Sequence, residues 1–484
     1  MARFSPLMAS LPLLVSLMGA TFHAQANNQL PDIGTAGVAA LPIEQEVRYG
    51  NAFMRFARAG LPIIDDPVLN EYIDDLGQRL LTNADGVRFP FTFFLINDPS
   101  INAAAFLGGR VKVHTGLFLY ADNESELASV LAHEITHVTQ RHIARYMEAQ
   151  ASSSAMTLAG LVGSIALAVI NPTAGIAALQ TTLGLSMQSA INYTRDNEYE
   201  ADRIGMKTLY DAGFDPMGMA SFFQKLAAEY RYASKPPEML LTHPLPETRI
   251  SEARARAGSY GRRALPPSLD FWLAKVRIQV RYGTESPQAL LTYFDSRLQK
   301  GDYPLKDAAT YGKALALLQL KRTDEADTLM QGLAARHPED LFVVDALTDI
   351  DLAKGRSAQA IARLERFRTR MPDNEVVVVN LGNAYLEAGN YQKSIALLDP
   401  YAREHDENSL AWSLLSDAYR KAGRMTDLHM ARAETLSLRG DYQAAIDELI
   451  VARGTTSDKL TLARIEARIT QLERAKKDLD SLKG

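Results

Sequence analysis

Two histidines four residues apart with a glutamate beside the first, His133-Glu134-Ile135-Thr136-His137, are the side chains of this 484-residue sequence whose types and spacing specify chemistry most directly. On an α-helix, positions i and i+4 share a face, so both imidazoles can aim at one point. Glu134 sits one step round, within reach of a water held there. The set corresponds to a zinc site with two nitrogen ligands, an open position and a carboxylate base. Zinc so held makes a water acidic near neutrality and polarises a carbonyl. Glu134 can take the water's proton and hand it to a leaving amine, which is peptide hydrolysis.

The surrounding residues supply a helix for this motif. Asn123 and Ser125 offer N-cap oxygens, and Glu124 and Glu126 place negative charge in the first turn. Leu127, Val130, Leu131, Ile135 and Val138 recur at helical spacing, and Arg141, His142 and Arg145 mark the basic end. A third metal ligand is still required. A metzincin would carry Gly at 140 and His at 143, whereas this chain has Gln140 and Ile143, so that class is excluded. His142 misses the required spacing and reads as a helix-end residue. Farther on, Glu198 and Asp202 lie i, i+4 on a second helix. One could complete the metal sphere while the other orients an imidazole; a solvated charged surface is the alternative.

Four motifs in order then resemble one family. They are HEITH, Glu198-x-x-Ala201-Asp202, the segment Asn102 to Leu117 (NAAAFLGGRVKVHTGL), and Thr242-His243-Pro244 with Glu247-Thr248-Arg249-Ile250. Over roughly residues 40–260 the chain resembles the gluzincins of metallopeptidase family forty-eight. That resemblance implies one Zn2+ per subunit on His133, His137 and Glu198, with Glu134 as general base and Asp202 behind the ligands. It also places His243 near the site, as a transition-state stabiliser or as a fourth ligand that closes the zinc like a latch; the latch is the expectation, and a histidine at a helix start with no metal contact is the alternative. Arg249 either stabilises a developing oxyanion or pairs with a carboxylate. Gly108, Gly109, Val111 and Val113 read as a short strand, whose edge either adds an extended substrate strand or covers the core. The expected architecture is mainly α. It comprises an α+β zincin-like gluzincin protease domain with a small sheet, then an α-solenoid of tetratricopeptide repeats.

The repeats show as a period of 34: Ala326, Ala360 and Ser394 are so spaced, as are Pro338 and Pro372. Asn380-Leu381-Gly382-x-x-Tyr385 and Trp412-x-x-Leu415 fill the pattern. Gly440-Asp441-Tyr442 returns about half a period early, which predicts a shared or missing helix near the C-terminus. The divisions expected are a signal peptide at 1–26, a metallopeptidase domain at 27–265, a helical connector or degenerate repeat at 266–304, and repeats at 305–484. Residues 6–20 are an apolar run after Arg3, and Ala24-Gln25-Ala26 is a cleavage signal, so export to the periplasm with cleavage after Ala26 is expected. The stretch 149–194 bears no charge, and its apolar core, 155–170, is about 24 Å as a helix, short of a bilayer. An insert over 155–191 is therefore read as a buried hairpin or a lip over the site, with peripheral membrane contact as a further expectation. The absence of Cys rules out disulfides, and a net charge of −5 without a basic stripe argues against nucleic acid. Similarity to the secreted, repeat-bearing members of the family implies clients that are unfolded or misassembled outer-membrane proteins. It also implies the β-barrel assembly machinery as a partner. A chaperone or assembly factor whose protease site is latched and seldom used is the alternative.

Overall fold

Asp66 opens the first fully packed helix: its carboxylate accepts from Leu69 N, and Pro67 presets the first turn. In the computed structural model, which describes residues 37–38, 40–149, 187–231 and 237–481, helix α1 (Ile43–Gly60) precedes this helix, α2 (Pro67–Leu81). The signal-peptide reading at 1–26 and nearly all of the insert at 155–191 fall outside the described residues. Helix α2 packs on a three-stranded sheet in the order β1-β3-β2, formed by β1 (Thr92–Ile96), β2 (Ala103–Phe106) and β3 (Arg110–His114). Strand β3 pairs parallel with β1, Thr92 facing Arg110, and antiparallel with β2, Ala103 facing Val113.

The strand order corrects one expectation. Val111 and Val113 lie on the middle strand, bonded on both sides, so they offer no edge to a substrate. Gly108 and Gly109 belong to the turn between β2 and β3, at φ +69° and +72°. A Cβ on Gly109 would lie 2.8 Å from Pro90 O, so the turn needs glycine for room as well as for its left-handed backbone. Ile63 bridges the outer side of β1. That bridge covers only the Ile96 end of β1, and β2 is the outer strand on the side that faces α4.

A short α3 (Thr115–Tyr120) leads to α4 (Glu124–Thr139), which carries the HEITH motif. Asn123 caps α4 through Glu126 N, whereas Ser125 Oγ instead accepts from Asp215 N. Helix α4 is buried on nearly every face, between β2, α2, α6 (Met187–Asp211) and α7 (Met217–Tyr230). Gly205 of α6 sits so close to α4 that a Cβ would be 3.1 Å from Ala132 and His133 backbone atoms. Between α4 and α6 in sequence comes α5 (His142–Ala149); α8 (Glu238–Thr242) and α9 (Glu247–Tyr260) complete the N-terminal half.

Helix pairs follow without interruption. A first pair, α10 (Leu269–Tyr282) and α11 (Pro287–Lys300), occupies the expected degenerate repeat. Next come α12 (Lys306–Gln319) with α13 (Thr323–Arg336), α14 (Leu341–Ala353) with α15 (Ser357–Arg370), and α16 (Glu375–Glu387) with α17 (Tyr391–Glu404). Then come α18 (Ser409–Lys421) with α19 (Met425–Leu438), and α20 (Tyr442–Gly454) with α21 (Lys459–Ser481). First helices begin at 341, 375 and 409, the period read from the sequence. The expectation of a missing helix fails. Gly423 turns within a pair and Gly440 turns between pairs, so both fit one complete additional pair.

Gly355, Gly389 and Gly423 end successive first helices at φ near +70°, and Lys321 holds the equivalent place one repeat earlier at φ +61°. A left-handed residue with a Cβ costs about 1–2 kcal/mol. Lys321→Gly is therefore expected to stabilise the chain by about 1 kcal/mol, read as a higher urea midpoint. An unchanged midpoint would remove this account of the turn.

The covalent boundary near residue 265 is not a boundary in packing. One hydrophobic core runs from Ile64 through Val376. Arg277, 1% exposed, joins Asp66 at 2.7 Å, Asp345 at 2.7 Å and Tyr311 at 3.0 Å. At the other end of the repeats, Arg55 donates to Ser437 O, and Ala52 and Phe56 pack against the cluster of α20 and α21. Both ends of the solenoid thus grip the N-terminal half. Between them a cleft of about 580 Å³ is lined by Asp65, Glu71, Asp74, Asp373, Glu375 and Glu407 among others. No helix among the described residues is long and apolar enough to cross a membrane.

Candidate active site

Four donor side chains converge where α4, α6 and the turn after α8 meet: His133, His137, Glu198 and His243. His133 Nε2 is 3.0 Å from His137 Nε2, 3.3 Å from His243 Nδ1 and 3.3 Å from Glu198 Oε2. His137 Nε2 is 3.4 Å from Glu198 Oε1, and His243 Nδ1 is 3.1 Å from the same oxygen. Donors about 2.0–2.1 Å from a tetrahedral zinc stand roughly 3.3–3.4 Å apart, so this spacing fits such an ion. Tautomers fit too. His133 Nδ1 faces Asp202 Oδ1 at 3.0 Å and donates to it, which makes Nε2 the ring nitrogen aimed at the cluster.

The electrostatics favour positive charge at the cluster. Glu134, Glu198 and Asp202 are all buried, and Arg249 is the one guanidinium paired with them among the described residues. Burial opposes a charged His133, but hydrogen bonds to Asp202 and Glu198 outweigh it and push that imidazole up to about 10. Burial lowers His137 to about 4. Burial would raise Glu198, yet the three cluster histidines hold it well below the usual carboxylate range.

Glu134 is aimed at the same point. Its Oε2 accepts from Ala105 N at 2.8 Å, which ties the carboxylate to the β2 edge. Its Oε1 is buried and accepts no hydrogen bond among the described residues, with His243 Nε2 3.4 Å away. A buried carboxylate oxygen left bare beside four donors suits a group whose partner is a water. His243 therefore stands between the cluster and the carboxylate, one ring nitrogen on each. Beside it, the apolar pocket formed by Val130, Phe223, Leu226, Met239 and Leu240 retains only about 10 Å³.

Arg249 has a structural placement. It is 2% exposed and grips Asp202 with two nitrogens at 2.7 and 2.8 Å. A third nitrogen reaches Glu198 Oε2 at 2.8 Å and Pro244 O at 2.7 Å. Of the two readings offered for it, the geometry has the carboxylate pairing, with the His243 turn tied in as well. Breaking a buried pair of this kind costs about 3–5 kcal/mol. Arg249→Met is expected to lose that much in urea unfolding, and a loss below about 1 kcal/mol would mean the network relaxes without it.

Sequence reasoning missed His142. A residue five positions after His137 on one continuous helix would point away from it. Arg141, however, breaks the helix at φ +54° and is held by Glu46 and Leu41 O. The chain doubles back, and His142 Nδ1 lies 2.9 Å from His137 Nδ1. The role of Ala105 was also hidden, because strand order decides it.

A model of peptidase family M48 matches residues 67–257, and a tetratricopeptide-repeat model matches 351–418. The β-barrel assembly-enhancing proteases of Yersinia pestis and Escherichia coli K12 are 50% and 46% identical over 340 and 345 residues. Those alignments cover 70% and 71% of this chain and the same shares of the two relatives. This chain belongs to peptidase family M48. A Vibrio cholerae relative, provisionally given the same name, is 54% identical over 66% of each chain. As an M48 metalloprotease with tetratricopeptide repeats, the chain has the donor set for a divalent metal and a surface suited to protein partners.

Proposed function

We propose that this M48 protease is a periplasmic zinc endopeptidase that cuts unfolded or misassembled outer-membrane proteins and assists their assembly. The single observation that carries the catalytic part is Glu134, bare at Oε1 and facing four convergent donors. His133, His137 and Glu198 would hold the zinc, which supplies Lewis acidity toward a scissile carbonyl and a water. Glu134 takes the proton of that water and delivers it to the leaving amine. Asp202 keeps His133 in the ligating tautomer, and Arg249 keeps Asp202 in place. Substrate lies extended along the outer edge of β2, beside Ala105, where backbone groups recognise any unfolded chain regardless of sequence. The names of the Yersinia and Escherichia relatives, β-barrel assembly-enhancing proteases, support a role in β-barrel assembly, and the assembly machinery is proposed as partner on that ground. The repeats recruit clients and machinery on surface left over by their grip on the N-terminal half.

The full chain, loaded with zinc, is expected to cleave an unfolded β-barrel protein and to leave the folded barrel intact. A chelator is expected to stop the reaction, and zinc to restore it. Chelator-insensitive cleavage, or none under any metal condition, overturns the reading. One observation supports the second reading, a chaperone with a seldom-used site: His243 joins the other three side chains as a fourth possible donor.

A further inference from the structure

His142 and Glu200 have no part in the chemistry just described, yet they are built onto it. His142 is 4% exposed and presents Nδ1 to His137 Nδ1 at 2.9 Å. Its Nε2 lies 3.3 Å from Glu200 Oε2, and Arg145 holds the same oxygen at 2.8 Å. The rings of His137 and His142 meet edge-on at 4.8 Å. We propose that His142 is a positioning residue that fixes His137 as a metal ligand through the chain Glu200–His142–His137. This rests on the zinc reading of the site.

The proton order follows from the ligand role. If His137 gives its Nε2 lone pair to a metal, its proton is on Nδ1 and must be donated outward. His142 Nδ1 is the acceptor at that place, so the proton of His142 lies on Nε2 and is donated to Glu200. Every member then donates one hydrogen bond away from the metal, and the last acceptor is a carboxylate. His133 has the same support by a shorter route, straight to Asp202. The left-handed backbone at Arg141 has its reason here. It is the turn that lets a residue directly after the motif helix reach back beneath a ligand, and the buried pair of Arg141 with Glu46 holds it.

The test compares His142→Leu, His142→Asn and Glu200→Gln in the full chain, reading zinc affinity and the rate of zinc loss to a chelator. Asn places an amide oxygen near the position of Nδ1 and can accept from His137, whereas Leu cannot. Removing such outer partners typically weakens metal binding about 10–100-fold. His142→Leu is expected to show that loss, His142→Asn to recover most of it, and Glu200→Gln to show a smaller loss. Melting of the metal-free proteins is expected to differ far less than their zinc retention. Equal zinc retention in parent and His142→Leu, or equal loss in the Leu and Asn variants, overturns the proposal while leaving the protease reading intact. If His142→Leu does not fold, Glu200→Gln decides, and zinc retention equal to the parent overturns the proposal. A parent chain that takes up no zinc overturns both.

Discussion

Glu134→Gln is expected to lower cleavage of an unfolded β-barrel client by about 10²–10⁴-fold while zinc content stays at the parental level. The amide keeps the shape of the side chain and can still accept from Ala105 N, so the β2 edge remains tied to α4. What is lost is the base: an amide cannot take a proton from water. The measurements are kcat/KM on the client and metal analysis of the same preparation. Parental activity with full zinc would show that another group does this work, and the buried oxygen at Glu134 would then need a different explanation. In cells the same variant separates the two functional readings. If client assembly is unaffected by it, the repeats rather than the protease site carry the biological role.

His243→Ala is expected to do the opposite, raising cleavage about tenfold or more, since even a 1.4 kcal/mol bias toward the closed form holds back that factor. His243 Nδ1 occupies the fourth donor position against Glu198, and Nε2 approaches the bare oxygen of Glu134. A site with four protein donors is closed, whereas a hydrolytic one keeps a position for water. Removing the ring frees both that position and the base, while His133, His137 and Glu198 still hold the metal. The small pocket beside His133 is expected to open as well, because Met239 and Leu240 line it from the same segment. Lost proteolysis with zinc retained would instead make His243 a stabiliser of the transition state. Lost zinc would make it an ordinary ligand. Either result ends the latch.

These two expectations draw differently on the sequence. HEITH and Glu198-x-x-x-Asp202 are legible because a helix converts spacing of four into a shared face, and both segments are helices in the fold. The repeats are legible for the same reason over a longer period, with left-handed glycines at 355, 389 and 423 marking each turn. The C-terminal register is not legible in this way, because Gly423 and Gly440 mark turns of different kinds. Within a pair and between pairs the chain reverses twice per repeat, and only the packed helices tell which reversal is which.

What the sequence by itself determined is therefore everything encoded by local periodicity: a helix with two histidines on one face beside Glu134, a carboxylate pair on a second helix, and a solenoid of helix pairs. What only the tertiary structure decided depends on neighbours far apart in the chain. Strand order put β3 in the middle and β2 at the edge, which withdrew Val111 and Val113 as a docking edge and brought Ala105 N onto Glu134. Burial between two carboxylates assigned Arg249 to pairing rather than to an oxyanion. A single left-handed residue, Arg141, turned His142 from a helix-end histidine into the support of a ligand, because one reversed dihedral redirects every atom after it.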